Sequence, residues 1–348
     1  MTLVVPPRRR RLLGLGLLAV ALLLLVIPGV AIGSRSLPPD TVGAALTHAL
    51  SCPDGPFTCA SLTSEEEIVR EMRLPRTALA LVTGLALGLA GALIQGYTRN
   101  PLADAGLLGL TAGAAFATAL GIYLFALSGP QQYIWFAFAG TLLAGLVVFG
   151  ASRIGGAGTG PLGLILAGAA LTAFLQALTN ALVTLDAYAL ETYRFWVVGE
   201  VAGRDAAVFW QVLPFLAAGT VLALSAAPGL NLLGLGDEIA RGLGVHLGRS
   251  RALGLAAVVL LVGAATAAVG PLAFLGLLAP HLARLCTGPD QRWLLPYAAL
   301  IGAAVLLLAD IAGRLVARPG ELPAGVMLAF LGAPVFVLLV RRRKLVAP

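Results

Sequence analysis

Apolar residues in this chain run in long blocks instead of alternating with polar ones. A membrane-crossing helix needs about 20 mostly apolar residues. Blocks of this kind lie near 12–32, 75–97, 105–127, 133–152, 161–184, 208–226, 251–270, 272–287, 293–315 and 323–341. The eighth is short, and only Gly270-Pro271 separates it from the seventh, so the pattern alone predicts nine or ten helices. Most blocks are rich in Gly and Ala, small residues that let helix backbones approach closely within lipid. The expected fold is an all-α integral membrane protein, one tightly packed bundle spanning 1–348.

Composition removes the soluble alternatives. Charged residues make up 11% of the chain and apolar residues 59%, against roughly 25% charged in an average soluble domain. So few charges cannot cover a water-facing surface of this size, and the apolar runs exclude a disordered chain. Arginine placement predicts orientation. With both termini cytoplasmic and ten spans, basic positions 8–11, 99, 153, 241, 249, 251, 284, 292 and 341–344 fall inside, 15 of the 23 in the chain. That bias selects an even count, hence ten. The net charge of +7 is then a topological signal, with little support for nucleic-acid binding.

The first 32 residues resemble a secretory signal, but the apolar run is long and no clear Ala-x-Ala site ends it, so a retained helix is expected. Residues 33–74 form the largest segment outside the membrane, an outer loop. It holds Cys52 and Cys59, which an oxidising compartment would let pair and which are equally consistent with two free thiols. Cys286 is expected only to fill space.

The chain also echoes itself. Pro101-Leu-Ala-Asp-Ala-Gly-Leu-Leu-Gly-Leu110 and Pro271-Leu-Ala-Phe-Leu-Gly-Leu-Leu-Ala-Pro280 agree at six of ten positions at an offset of 170. The same offset aligns Gly84-Leu-Ala86 with Gly254-Leu-Ala256. Five spans separate the copies, so they enter the membrane from opposite sides. This is the pattern of an inverted repeat, common in transporters that open alternately to each face.

Catalytic chemistry is thin. The only lysine is Lys344, so no Gly-Lys-Ser/Thr phosphate loop exists, and any ATP used must be bound by another subunit. His48, His246 and His281 are scattered, without a zinc-binding His-Glu-x-x-His pair, and no Gly-x-Ser-x-Gly turn occurs. Asp310 is the clear intramembrane carboxylate, and Arg314, four residues on, is placed to pair with it. Residues 229–250 follow the sixth span on the cytoplasmic side. There Asp237 is placed to cap a short helix carrying Glu238 in its first turn. Ile239 and Leu243 share one face, and Gly242 and Gly244 end the helix. Such a helix lying along the membrane offers apolar knobs to another protein; an ordinary connecting loop is the plain alternative. On the outer side, Arg73, Arg76 and Arg314 stand at helix ends, a cationic patch suited to acidic side chains of a docking partner, or simply interfacial anchors. Pro75 reads as a helix-start signal.

Six stretches occur together in one order: Arg73-Leu-Pro-Arg76; Gln95-Gly-Tyr-Thr-Arg-Asn-Pro-Leu-Ala-Asp104; Phe195-Trp-Val-Val-Gly199 with Ala202-Gly-Arg204; Gly236-Asp-Glu-Ile-Ala-Arg-Gly-Leu-Gly244; Gly270-Pro-Leu-Ala-Phe-Leu-Gly276 with Pro280-His281; and Glu321-Leu-Pro through Leu331-Gly-Ala-Pro334. Over about residues 65–344 the chain resembles permease subunits of ATP-binding-cassette importers for iron-siderophores, haem and cobalamin, the FecCD type of type II importer. The resemblance implies a ten-helix, cobalamin-permease-like bundle that pairs with a second permease chain, identical or related. It also implies two cytoplasmic ATPase subunits carrying ATP and Mg, and an external substrate-binding protein. No cofactor is expected on this chain.

By position in the family, Gly236, Asp237, Glu238, Ile239, Ala240, Arg241, Gly242, Leu243 and Gly244 match the coupling helix inserted into each ATPase. Arg73, Arg76 and Arg314 match arginines that meet glutamates of the binding protein in the cobalamin member. Phe195, Trp196, Gly199 and Glu200 are expected to face the translocation path, and this stretch favours an iron-siderophore. Ala105 departs from the proline of many relatives, and Glu200 from the usual small residue.

The expected protein is a non-enzymatic importer permease of the bacterial cytoplasmic (inner) membrane. An ion-gradient-driven secondary transporter would also explain ten spans and an inverted repeat, but the stock of intramembrane carboxylates is poor for one. A membrane enzyme would need a polar catalytic cluster that is missing.

Overall fold

The computed structural model describes residues 7–52, 63–154 and 161–341. Among them there is no strand, and all ten apolar blocks coincide with helices. In chain order these are α1 (Arg8–Ala31), α2 (Pro39–Ser51), α3 (Ser64–Glu67), α4 (Leu74–Thr98), α5 (Leu110–Phe125), α6 (Pro130–Ile154), α7 (Pro161–Leu185), α8 (Ala187–Val197), α9 (Ala206–Leu233), α10 (Asp237–Gly242), α11 (Leu247–Val269), α12 (Leu275–Thr287), α13 (Gln291–Val316) and α14 (Ala324–Arg341). Seven helices among the described residues are long and apolar enough to cross a bilayer: α1, the run Ser64–Thr98, α6, α7, α9, α11 and α13. α5 has 16 residues and α12 has 13, short of the roughly 30 Å hydrocarbon thickness at 1.5 Å per residue.

Helix α4 is the central post. In the apolar windows of α4, α11 and α13, 78%, 72% and 72% of residues are buried, against 11% in α1 and α7. The difference follows from residue size. Along α4, a Cβ at Gly84 or Gly88 would overlap the backbone of α13 at Gly302 or Ala298, and one at Gly91 would overlap Gly276 of α12. Gly113 of α5 and Gly140 of α6 meet in the same way. α1 and α7 instead present Leu17, Leu23, Leu24, Leu162, Leu166 and Phe174 outward, side chains suited to lipid or to another apolar chain.

Two expectations change here. Residues 33–74 are not simply a loop. α2 packs Val42 and Ala45 against Val30 and Val69, and His48 of α2 meets Glu66. Nor does a helix begin at Pro75: the helical path runs from Ser64 to Thr98, with a π-helical turn over Ile68–Arg73. Proline lacks an N–H and its ring crowds the carbonyl four residues back, so the turn ahead of it widens without breaking. Thr63 caps the start, its Oγ1 accepting from Glu66 N at 3.1 Å. Cys59, and with it the Cys52–Cys59 question, lies outside the described residues.

The internal echo has matching element boundaries. α4 ends at Thr98 and α11 at Val269, while the helical turn after each Pro-Leu-Ala begins at Ala105 and at Leu275. In both copies a short non-helical stretch separates a long helix from the next helical turn. Phe274 enters α12 from the left-handed region at φ +66°.

Close helix approach predicts a sharp positional contrast. Gly88→Leu should destabilise the detergent-solubilised protein by about 3 kcal/mol or more through overpacking. Gly242→Ala, whose Cβ would meet nothing within 4 Å, should leave the melting temperature almost unchanged. Thermal unfolding of the two variants side by side checks this.

Candidate functional site

The charged side chains inside the bundle gather at its two ends. At one end the sequence brings a carboxylate, Asp310, into a position that is 1% exposed. An isolated charge there would be prohibitive, and two arginines make it tolerable. Arg76 of α4 donates from Nε at 2.9 Å and from Nη2 at 2.7 Å to Asp310 Oδ1. Arg314, one turn further along α13, also pairs with Asp310, as its spacing predicts. Backbone supplies further acceptors: Arg314 Nη1 donates to Gly29 O and Ile32 O, each at 2.7 Å. Arg73 donates to Ala31 O and Arg35 O, each at 2.6 Å. These carbonyls close the C-terminal end of α1, where helix carbonyls lack partners and favour cations.

Arg73, Arg76 and Arg314 are thus brought together, but as buried struts, respectively 4%, 8% and 1% exposed. Glu321, between α13 and α14, takes the last donor of Arg76. Burial opposes ionisation of Glu321, but the hydrogen bond and charge of Arg76 outweigh it and hold its carboxyl below the usual range. A depression of about 220 Å³ opens beside this cluster, with Arg35, Met72, Gly203 and Glu321 in its walls.

The predicted path residues lie next to it. Trp196 is buried at 1% exposure and Phe195 is 61% exposed, so successive aromatic side chains on α8 fall on different faces of the helix. Gly199, at φ +75°, turns the chain and accepts a bond from Gly325 N at 2.8 Å, while Glu200 N donates to Val269 O at 2.8 Å. The α8–α9 turn is therefore locked to the end of α11 and the start of α14. A cavity of about 410 Å³ is walled by Tyr133, Tyr188, Glu191, Phe195, Glu200 and Arg204. Burial pushes the Glu200 carboxyl upward, against the pull of Arg76 and Arg204.

At the opposite end lies α10, the predicted coupling helix. Gly236 adopts φ +109° and ψ 151°, a region open essentially to glycine. Gly244, at φ +87°, closes the helix: Gly244 N donates to Arg241 O and Val245 N to Ala240 O, the pairing of a glycine-terminated helix. Ala240 is buried beneath, whereas Ile239 and Leu243 are 55% and 58% exposed. Glu238, Arg241 and Gly242 are exposed beside them.

Asp237 does not cap this helix. Its carboxylate is taken by Arg99 and by Arg251, the latter at 2.6 Å, and Gly236 stands at the cap position. Arg99 itself sits in the left-handed region at φ +49°, costing about 1 kcal/mol for a non-glycine residue. Its ion pair and a 2.8 Å bond to Leu233 O hold it there. Arg99, Arg251 and Glu321 join these clusters without having been singled out from the sequence. Only the shared cytoplasmic side of Arg99, Asp237 and Arg251 was visible in it. Among the described residues, no group of three or more His, Cys, Asp or Glu side chains is placed to hold a metal ion.

A multi-span bundle closed by glycine contacts, with its charges gathered at both ends and a pinned apolar turn at one of them, has the architecture of a membrane transport permease. The chain belongs to the FecCD transport family, whose profile matches residues 19–342. It is 46% identical over 327 residues to the ferric enterobactin transport system permease protein FepD of Escherichia coli, covering 92% of this chain and 94% of that one. To the hemin transport system permease protein HmuU of Yersinia pestis it is 38% identical over 279 residues, 78% of this chain and 83% of that one. A solved metal-chelate type ABC transporter in an inward-facing conformation superposes with a TM-score of 0.81 at 27% identity, over 94% of this chain and 98% of that one. The family is one of transport permeases, not enzymes.

Two outcomes follow from the charge geometry. Asp310→Asn strips Arg76 and Arg314 of their shared anion and should cost about 3–5 kcal/mol, read as a lowered melting temperature. Burial disfavours the Asp237 carboxylate, but Arg99 and Arg251 outweigh that and lower its pKa from the ordinary 3.8. Its contribution is therefore complete above that value and is lost as pH falls through the lower folded value. Acid unfolding curves of the wild type and Asp237→Asn should converge over that window.

Proposed function

We propose that this chain is the membrane permease of a binding-protein-dependent ABC importer that carries a ferric siderophore across the bacterial cytoplasmic membrane. It would work as a ten-span domain of inverted-repeat design with both termini inside. Cargo crosses between this chain and a second permease chain, and ATP and Mg are handled by two separate ATPase subunits beneath. One observation carries the reading: α10 is a six-residue helix fixed at its base by Asp237, Arg99 and Arg251, with Ile239 and Leu243 bare on top. A rigid apolar knob at the cytoplasmic end is what an ATPase groove needs to grip, because exposed apolar side chains gain from burial and a pinned base transmits displacement to α4 and α11. Haem is the second cargo reading, supported by the likeness to the hemin permease; the higher identity to the ferric enterobactin permease favours the siderophore.

At the outer end, the external binding protein docks on the face around Arg73, Arg76 and Arg314. Because these three guanidiniums are buried, reversing their charge would set a carboxylate against Asp310 (Arg76, Arg314) or against the carbonyls ending α1 (Arg73) and test folding more than docking. Arg35 and Arg318, exposed on the same face, are the better probes. The turn holding Phe195, Trp196, Gly199 and Glu200 then forms the outer mouth of the path. Transport switches sides because ATP and loaded binding protein favour different states of the permease.

Three results are expected in proteoliposomes. Uptake of ferric siderophore should require ATP and the ATPase subunits and should survive an ionophore; uptake that continues without ATP but collapses with the ionophore would instead favour an ion-driven carrier. Ile239→Glu/Leu243→Glu should weaken ATPase retention by roughly tenfold or more while the permease still folds. Arg35→Glu/Arg318→Glu should weaken binding-protein affinity in a salt-dependent way, with ATPase retention unchanged.

A further inference from the structure

At the outer end Arg76 has two carboxylate partners of different character. Asp310 is 1% exposed and is held on both sides by Arg76 and Arg314. Glu321 has a side chain that is 24% exposed and lies in the stretch between α13 and α14. Its neighbours Arg318, Pro319 and Gly320 are exposed. The depression of about 220 Å³ opens at this point, with Arg35, Arg73, Arg76 and Arg314 around it.

With Glu321 in place, Arg73, Arg76 and Arg314 face two carboxylates. With Glu321 withdrawn, they face one, and the seat on Arg76 gains a unit of positive charge. We propose that Glu321 is an internal stand-in for an acidic side chain of the docking protein. An incoming carboxylate takes its place on Arg76, and Glu321 is released to water. The exchange trades one carboxylate on Arg76 for another and gives up the hydrogen bond that Glu321 also takes from Ser34, a small difference that docking can bias. The inference rests on the docking reading above.

Release has a consequence further in. The residue after Glu321, Leu322, donates its N–H to Gly313 O at 3.1 Å, and Gly325 N donates to Gly199 O at 2.8 Å. Gly199 adjoins Glu200, which is bonded to Val269 O. Freeing Glu321 therefore loosens the tie between the start of α14 and the turn at the outer mouth. Docking and opening of that mouth become one event.

Glu321→Gln tests the exchange, since the residue is partly exposed and the change keeps its shape. The complex of permease and ATPase is placed in nanodiscs, and the binding protein that the wild-type complex retains is identified, purified and titrated. Glu321→Gln is expected to bind it about fivefold more tightly and to exchange the amide hydrogens of Leu322 and Gly325 roughly tenfold faster. Unchanged or weakened affinity, where Arg35→Glu/Arg318→Glu does weaken docking, overturns the exchange and leaves the docking reading standing. If Arg35→Glu/Arg318→Glu changes nothing, the docking reading fails, and the hydrogen-exchange result alone then decides whether Glu321 holds the mouth closed; unchanged exchange overturns that role. An affinity gain confined to nanodiscs containing phosphatidylglycerol would assign the seat to a lipid headgroup and overturn the proposal.

Discussion

A single buried carboxylate organises the outer half of this molecule. Asp310 cannot remain charged at 1% exposure without close cations, and Arg76 and Arg314 supply them from α4 and α13. Those arginines cannot be buried without further acceptors, which the carbonyls ending α1 and the carboxylate of Glu321 provide. Each requirement creates the next, and the result ties α1, α4, α13 and the start of α14 into one unit. In a low-dielectric setting such a network is tolerated because nearly every donor is matched, with Arg314 Nε the buried exception. Its value here is geometric: it fixes where the outer turn Val198–Gly203 can sit.

The inner end solves a different problem with the same chemistry. A six-residue helix is far below the length that is stable alone, yet α10 holds its shape at the surface. Asp237 provides the fixed point by accepting from Arg99 and Arg251. Gly236 and Gly244 provide the backbone turns that few other residues could adopt. Because Arg99 ends α4 and Arg251 lies near the start of α11, α10 is tied to two of the most buried helices. α4 also carries Arg76 at its other end. One helix therefore joins the Asp237 pin at the inner end to the Asp310 cluster at the outer end, with glycine crossings to α13 and α12 between them.

Much of this was legible in the sequence, and the boundary is physical. The apolar blocks were visible as helices because hydrophobic length is a local property, and the exposed pair Ile239 and Leu243 because short helical spacing is local too. The pairing of Asp310 with Arg314 needed only one helical turn. The burial of Arg73, Arg76 and Arg314 was not visible: a row of arginines at helix ends looks the same whether it faces water or the carbonyls of a helix 40 residues away. Asp237 misled in a related way. An acidic residue after glycine has the pattern of a cap, and only tertiary contact with Arg99, 138 positions distant, diverts it. The helices α2 and α8 were hidden because neither has a long apolar run and each is held by packing against other elements; the π turn before Pro75 was hidden because a proline near a helix start reads as the start itself.

The account stands on α10 acting as a mechanical link whose base is pinned by Asp237. The ratio of chelate transported to ATP hydrolysed, measured in proteoliposomes for the wild type and Asp237→Asn, tests this most directly. The structure predicts that the variant still assembles and hydrolyses ATP while its transport per ATP falls, because the helix remains gripped but yields at its base. A ratio equal to that of the wild type, in a variant that is folded and assembled, would contradict the claim.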